Sequence, residues 1–380
     1  MSMHVLIVTN GMPSKQSPLV GIFEWDQAKA LSKAGVKVDF FAIDLRSFRH
    51  SRPWGIRHGE KDGVRWHSFS IPVGAMPFWV LCKIGAIALR KLYRTVFGDV
   101  DNVPDIIHAH FTEMGYITAE LVKEVRIPLI ITEHSSLMLK SMISDELKRI
   151  AMESYHSADC VIAVSDSLKK SIYQHTGIVA EVVPNIVSAE FHCGRREHLG
   201  MKYISVANLV HGKRIDILLR AFEQLAVVCK DVTLEIVGDG EQRDYLKRLA
   251  EDLHISDKIT FHGILARQDI DALYKTCDCF VLPSAIETFG VAYIEAMAAG
   301  LPVIATRCGG PENFVTEENG LLVDVNDIES LKGAMLSMYL SREKYDRATI
   351  AANITERFSA STVATRLLNV YSKVLNGQGV

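Results

Sequence analysis

Two carboxylates, Glu287 and Glu295, stand in the stretch 279–300 (CFVLPSAIETFGVAYIEAMAAG), where nearly every other residue is apolar or small. Cys279 to Pro283 is a short apolar run closed by Pro283-Ser284. It reads as a buried strand ending at a loop, Ala285 to Phe289. Gly290 to Ala299 reads as a helix, with Thr288 as its N-cap and with Gly300 and Pro302 beyond its end. A helix apolar on every side is a buried helix, yet this one carries Glu295. An unpaired buried carboxylate is costly or loses its charge, so Glu295 has either a protein partner or a ligand. Glu287 sits just before the helix N-terminus, at the carboxyl end of the strand. There open α/β sheets bind ligands and helix amides attract phosphate. The plainer alternative is an Arg or backbone amides beside Glu295, and a solvated Glu287.

Further groups with chemistry lie on neighbouring loops. Asn208 to Arg214, Gly238 to Glu241, Ala285 to Phe289 and Arg307 to Pro311 each leave an expected strand end. In an open sheet such loops line one crevice. Lys213 and Arg214 bring cations there. Cations, helix amides and a buried carboxylate suit a nucleoside diphosphate. Glu295 would accept from ribose hydroxyls, while Lys213 and the amides of Phe289 to Val291 would hold the diphosphate. In the first half, His108 and His110 share one face of a strand, DIIHAH. No third ligand lies nearby, so the pair is read as a substrate contact at a strand end and not as a metal site. Gly21 opens a helix after a strand and a long loop. It either lets a phosphate approach the backbone or serves packing.

The elements that must position these groups alternate strand and helix along the whole chain, which indicates doubly wound α/β. Strands are expected at Val5–Thr9, Val36–Ile43, 105–110, Leu129–Thr132 and Cys160–Val164, with helices between. Asp44 to Phe69 gives no clear pattern. A long helix is expected after Ser136. A change of texture over 184–200 reads as a linker, after which the pattern repeats from Tyr203. The chain of 380 residues suits two domains, and 48% apolar with 23% charged residues is ordinary for a globular protein. A net charge of −3 leaves no electrostatic footprint for nucleic acid. Seven cysteines without a CxxC pair read as reduced thiols, and no signal peptide or membrane span is evident. Between Pro72 and Phe97 lies a basic apolar segment with Lys83, Arg90, Lys91 and Arg94 near one face. Phe78, Trp79, Leu81 and Ile87 are expected on the other. Such a helix can lie on an anionic membrane. The favoured reading is a domain helix packed by its apolar face, with snorkelling cations.

ETFGVAYIE (287–295) matches the E-x7-E element of retaining GT-B glycosyltransferases, family 4. VANLVHGKRIDILLRAF (206–222) resembles that family's phosphate-contact element. VGDGEQRDYLKRLA, FHGILARQDIDALY, GGPENFVTEENGLLVD, GIFEWDQAKAL and DIIHAH also resemble family counterparts, nearly end to end. The resemblance implies a GT-B fold of two doubly wound Rossmann-like domains facing across a cleft. Residues 1–187 would form the acceptor-side domain and 188–358 the nucleotide-sugar domain, with the helix in 359–380 crossing back to the first. It implies that Glu295 binds the ribose and that Glu287 lies near the donor sugar. Lys213 would hold the diphosphate, and the amides of Phe289, Gly290 and Val291 would touch sugar or phosphate. Gly21 would approach the diphosphate from the facing domain, and His110 would sit near the reacting sugar. The family often has Arg five residues before the Lys. This chain has Asn208, so one phosphate cation is missing or Arg214 replaces it.

The implied activity is transfer of a sugar from a nucleotide-diphosphate sugar to a glycan or lipid-linked acceptor, with retention and without a metal or other cofactor. Two DxD triplets, Asp99-Val-Asp101 and Asp269-Ile-Asp271, are discounted as metal sites. One lies in a polar stretch before a strand, and the other at a helix start, where acids favour the dipole. The implied setting is polysaccharide or cell-envelope glycan synthesis in the cytoplasm, at the inner face of the membrane if 72–97 contacts it. A nucleotide-sugar 2-epimerase and a non-catalytic GT-B protein share the architecture. The E-x7-E spacing argues against the first, and intact Glu287, Glu295 and Lys213 against the second.

Overall fold

Apolar β-branched runs bounded by polar loops give this chain its strands, and those strands are buried on both faces, as parallel sheets require. In a computed structural model, residues 3–14, 20–47, 53–98, 103–194 and 200–377 are described. Asp99 and Asp101, Arg195 and Arg196, and part of the loop before Gly21 lie outside them. The chain divides into two compact units: Met1–Ile186 with Ala360–Val380, and Val187–Ser359.

The first unit contains β1 (His4–Thr9), α1 (Ile22–Lys33), β2 (Lys37–Asp44), β3 (Gly55–Lys61), β4 (Val64–Ser70) and α2 (Phe78–Phe97). There follow β5 (Ile106–His110), α3 (Thr112–Val125), β6 (Leu129–Glu133), α4 (Asp145–His156), β7 (Cys160–Ala163), α5 (Asp166–Thr176) and β8 (Glu181–Val182). The sheet order is β3-β4-β2-β1-β5-β6-β7-β8, parallel except for the antiparallel β3–β4 pair. That hairpin falls largely within Asp44 to Phe69, the stretch without a clear pattern. After Ser136 the expected long helix is instead a 3₁₀ turn, Ser136–Leu139, and then α4. Ser144 caps α4 by accepting from the Leu147 amide.

The second unit holds β9 (Met201–Val206), α6 (Ile215–Val228), β10 (Val232–Val237), α7 (Arg243–Asp252), β11 (Ile259–Gly263) and α8 (Arg267–Lys275). It continues with β12 (Cys279–Leu282), α9 (Val291–Ala298), β13 (Val303–Thr306), β14 (Gly320–Val323), α10 (Ile328–Leu340) and α11 (Arg347–Phe358). Its six strands are all parallel, in the order β11-β10-β9-β12-β13-β14. The chain then rejoins the first unit as α12 (Ala360–Leu375), which packs on α1 and buries Val363, Leu367 and Tyr371 in that unit's core.

Each sheet has one place where the strand order reverses. In the first unit it lies between β1 and β5, and in the second between β9 and β12. Loops diverge there in opposite directions and leave a crevice at the carboxyl ends of the strands. Gly21 and His110 follow or end the first pair. Lys213 and Glu287 follow the second.

Candidate functional site

In the second unit, backbone bonds tie together the loops after β9, β12 and β13. The Ala285 amide donates to the Gly212 carbonyl at 2.8 Å, and the Glu287 amide to the Cys308 carbonyl at 3.1 Å. The Gly310 amide donates to the Glu287 carbonyl at 2.7 Å. On this frame the Lys213 ammonium meets Glu287 Oε1 at 2.5 Å, and the Ser284 hydroxyl donates to the same oxygen at 2.9 Å. Glu287 is therefore buried and paired, not solvated. The thiol of Cys308 beside it is pushed up to about 12, chiefly by burial, with the Glu287 charge adding. It is a protonated, unreactive thiol at neutral pH.

The helix after this loop starts differently from the sequence expectation. Thr288 is not its N-cap: Gly290 is, at φ 97°, and α9 begins at Val291. A Cβ at Gly290 would come within 2.7 Å of the Tyr293 ring, so this left-handed turn needs glycine. A glycine cap offers no side-chain acceptor: the Tyr293 amide turns back to the Gly290 carbonyl at 3.1 Å, and the amides of Val291 and Ala292 have no cap side chain to bond. The Phe289 side chain is not at the site. It is buried against Phe314 and Phe358, with ring centroids 5.6 and 5.4 Å away, which leaves its amide as the available group.

Glu295, in the second turn of α9, lies 3.6 Å from Arg267 at the start of α8, and both side chains are mostly buried. The charge on this apolar helix thus has a protein partner. Arg267 falls within FHGILARQDIDALY, but its pairing with Glu295 has no local sequence signal, because 28 residues separate them. Arg214 takes up φ 53° and turns its guanidinium to Asp216, at 3.2 and 3.3 Å, and to Asn326. Asn208 is exposed. Lys213, and neither Asn208 nor Arg214, is the residue paired with Glu287. Asp269 lies in the first turn of α8. Asp271 is buried there, where it accepts from the His192 amide at 2.8 Å and from Lys275 at 2.5 Å. Among the described residues no three His, Cys, Asp or Glu side chains gather in a metal-ligand arrangement.

In the first unit, His108 and His110 share a face of β5 as their spacing requires, with rings stacked at 4.4 Å. Both are fully buried, and His134 after β6 is largely so. His110 Nδ1 and His134 Nε2 are hydrogen-bonded at 3.0 Å. His108 bonds the Tyr371 hydroxyl of α12 at 2.7 Å and the Thr132 hydroxyl at 2.7 Å. Burial is the main cause that holds all three imidazoles well below their usual range, to about 3 for His108 and His134. They are neutral at pH 7. His110 Nε2 and His134 Nδ1 are buried and have no hydrogen-bond partner among the described residues.

Glu133, the last residue of β6, fixes the backbone around this cluster. Its carboxylate accepts from the amides of Thr112 (2.9 Å), His134 (2.8 Å) and Ser135 (2.6 Å), the Tyr155 hydroxyl (2.7 Å) and the Thr112 hydroxyl. It thereby joins the turn after His110 to the turn that carries His134. The first of these holds Phe111 at φ 70°, a conformation strained for a non-glycine residue.

Gly21 caps α1 at φ 66°, and a Cβ there would come within 2.5 Å of the Gly11 carbonyl oxygen. Three residues on, burial raises the Glu24 carboxyl to about 7, and Asp26 adds to the rise. Gly21→Ala should cost about 2 kcal/mol from backbone strain and the close approach. A thermal melt should show this as a drop of several degrees. An unchanged melting temperature would mean that the backbone at Gly11 moves aside at little cost.

Residues 20–191 match the family described as Glycosyltransferase Family 4, and residues 197–354 match Glycosyl transferases group 1. An uncharacterised glycosyltransferase of Methanocaldococcus jannaschii is 30% identical over 302 residues, covering 72% of this chain and 77% of its own. Among solved structures, sucrose-phosphate synthase from Thermosynechococcus elongatus superposes with a TM-score of 0.83 at 20% identity, covering 99% of this chain and 100% of its own. HepE from Anabaena, in complex with UDP-glucose, superposes with a TM-score of 0.74 at 22% identity, covering 98% and 100%. Two parallel Rossmann-like sheets, both family matches and the archaeal relative lead to one assignment: the chain has the GT-B fold and belongs to glycosyltransferase family 4, the group 1 glycosyl transferases that use nucleotide-sugar donors.

Proposed function

We propose that the protein transfers a hexosyl group from a nucleotide-diphosphate sugar to a hydroxyl of a glycan or lipid-linked acceptor, with retention of configuration and without a metal. The observation that carries this reading is the Lys213–Glu287 pair at 2.5 Å, set at the strand reversal of the second unit beside the N-terminus of α9. When the anomeric C–O bond breaks, its electron pair leaves with the diphosphate and positive charge builds on the sugar. The Lys213 ammonium and the amides of Phe289, Gly290 and Val291 meet the first charge, and the Glu287 carboxylate lies on the side of the second. Fixed charges and dipoles of this kind lower a barrier because they need no reorganisation during reaction.

Glu295, held by Arg267, would accept from the ribose hydroxyls. Gly21 would let the diphosphate approach the backbone. His110 is too weak a base to take the acceptor's proton, since burial keeps it neutral well below its usual range. Its unbonded Nε2 suits it to steer a sugar hydroxyl instead. The HepE complex with UDP-glucose supports a UDP-sugar as donor. Seven unpaired thiols support a cytoplasmic setting, and the family supports polysaccharide or cell-envelope glycan assembly as the pathway class.

The test is a thermal-shift panel of UDP, GDP and ADP, with and without magnesium, on the wild type and Glu295→Ala. A nucleotide at 100 times its Kd should stabilise the fold by about 2.7 kcal/mol. We expect one selective shift, insensitive to magnesium and lost in Glu295→Ala. No shift with any nucleotide, or a shift kept by the variant, would overturn the assignment.

A further inference from the structure

Helix α2 does not pack as its cation-and-apolar pattern suggested. Its buried face is made of Cys82, Gly85, Ala88, Leu89, Leu92 and Tyr93. The small residues allow close approach: a Cβ at Gly85 would come within 2.6 Å of Ile117 in α3. Trp79 and Ile87, expected on the packed side, are instead 52% and 64% exposed. At 3.6 residues per turn, Trp79, Arg90, Lys83, Arg94, Ile87 and Lys91 all fall within an arc of about 120°. Met76, just before the helix, is also exposed.

The charges on this arc are mostly uncompensated. Glu124 of α3 pairs with Arg90 at 2.7 Å and reaches Arg94 at 3.6 Å. Among the described residues no carboxylate pairs with Lys83 or Lys91, which lie over the rings of Trp79 and Phe69 at 4.9 and 5.6 Å. No acidic residue occurs between Pro72 and Gly98. Ile87, Arg90, Lys91, Arg94 and Thr95 line a shallow concavity of about 400 Å³, wide enough to receive an anionic headgroup between cations. No described helix is long and apolar enough to cross a membrane.

An exposed Trp interleaved with cations is poorly placed for water and well placed for the boundary between headgroups and acyl chains. We propose that the α2 face seats the first unit on the surface of an anionic lipid bilayer. Trp79, Ile87 and Met76 enter the headgroup layer, and Lys83, Arg90, Lys91 and Arg94 contact lipid phosphates. An acidic protein partner would satisfy the cations but leave no reason for an indole and two aliphatic side chains among them. The inference does not rest on the transferase reading.

The test is flotation of the full chain with vesicles of phosphatidylcholine alone and of phosphatidylcholine with 30% phosphatidylglycerol, in low and high salt. Binding is expected only to the anionic vesicles and should weaken with salt. Lys83→Gln/Lys91→Gln should lower the partition coefficient about 25-fold, at about fivefold per cation. Trp79→Ser should lower it about tenfold or more. Circular dichroism and melting temperatures should stay unchanged, because these side chains are exposed. Equal binding to both vesicles, no binding to either, or variants that bind as the wild type does would each overturn the proposal. So would sedimentation that shows this face joining two copies of the chain. Flotation involves no sugar donor, so its failure and that of the nucleotide panel are read separately.

Discussion

Replacing Lys213 with alanine is expected to lower kcat by about two to three orders of magnitude, the usual loss when one fixed group facing a developing anion is removed. Two effects add. On the proposed reading the departing diphosphate loses the Lys213 cation, and Arg214, held by Asp216 and Asn326, and the uncharged Asn208 do not replace it. Glu287 also loses the ammonium 2.5 Å away and, among the described residues, keeps the Ser284 hydroxyl as a side-chain donor. A buried carboxylate stripped of its cation costs on the order of 3 kcal/mol in stability or takes up a proton. The two effects separate in Lys213→Ala/Glu287→Gln. Stability should largely return, because no buried charge is left unpaired, while kcat should stay low. Turnover in Lys213→Ala within threefold of the wild type would remove Lys213 from the diphosphate role.

Acid should destabilise the first unit between pH 6.5 and 5.5, through the histidines. A histidine whose folded pKa is depressed takes up a proton more readily when unfolded, so stability falls as pH drops below the unfolded value near 6.5. His108 and His134, held to about 3, should each cost about 1 kcal/mol over that pH unit. His110 acts in the same direction. Glu24 opposes them. Its folded pKa of about 7 lies above the unfolded value, so protonation there favours the folded state as pH falls, by about 1 kcal/mol. The net loss should be about 1 kcal/mol or more, visible in thermal or urea melts at the two pH values. Glu24→Gln removes the opposing group, so its melting temperature should fall more steeply with acid than that of the wild type. A flat profile in both proteins would mean that the imidazoles take up protons without opening the fold.

The strand–loop–helix over 279–300 was legible because its signals agree: an apolar run, a Pro-Ser stop and a helix ended by Gly300. Its cap was not legible. Threonine is a good cap by residue type, but the chain reaches α9 through a left-handed turn that only Gly290 can make. The β3–β4 hairpin stayed hidden because β3 is a mostly exposed edge strand, GIRHGEK, without an apolar run. In α2 the apolar count was right and the face wrong. The helix packs through glycine and alanine, which a hydrophobicity pattern undervalues, and leaves Trp79 outside. Glu287, Lys213, Gly21 and His110 are legible as candidates from residue type and place along the chain. Arg267 and His134 were missed as partners of Glu295 and His110, and Glu133 as the group that clasps both turns. Contacts of this kind join residues 21 to 28 positions apart on separate elements and leave no periodic trace.

The placement of α12 also sets the order in which the chain can be built. The second unit is one uninterrupted segment and can complete its core once residue 359 has emerged from the ribosome. The first unit is made first but cannot finish first. Its core lacks Val363, Leu367 and Tyr371 until the final helix arrives, and His108 lacks the Tyr371 hydroxyl. Through the synthesis of nearly half the chain, the nascent first unit therefore carries an open apolar groove along α1, a surface for chaperones to cover. A translation stop shortly before residue 360 would spare the later-made half and strand the earlier one unfinished.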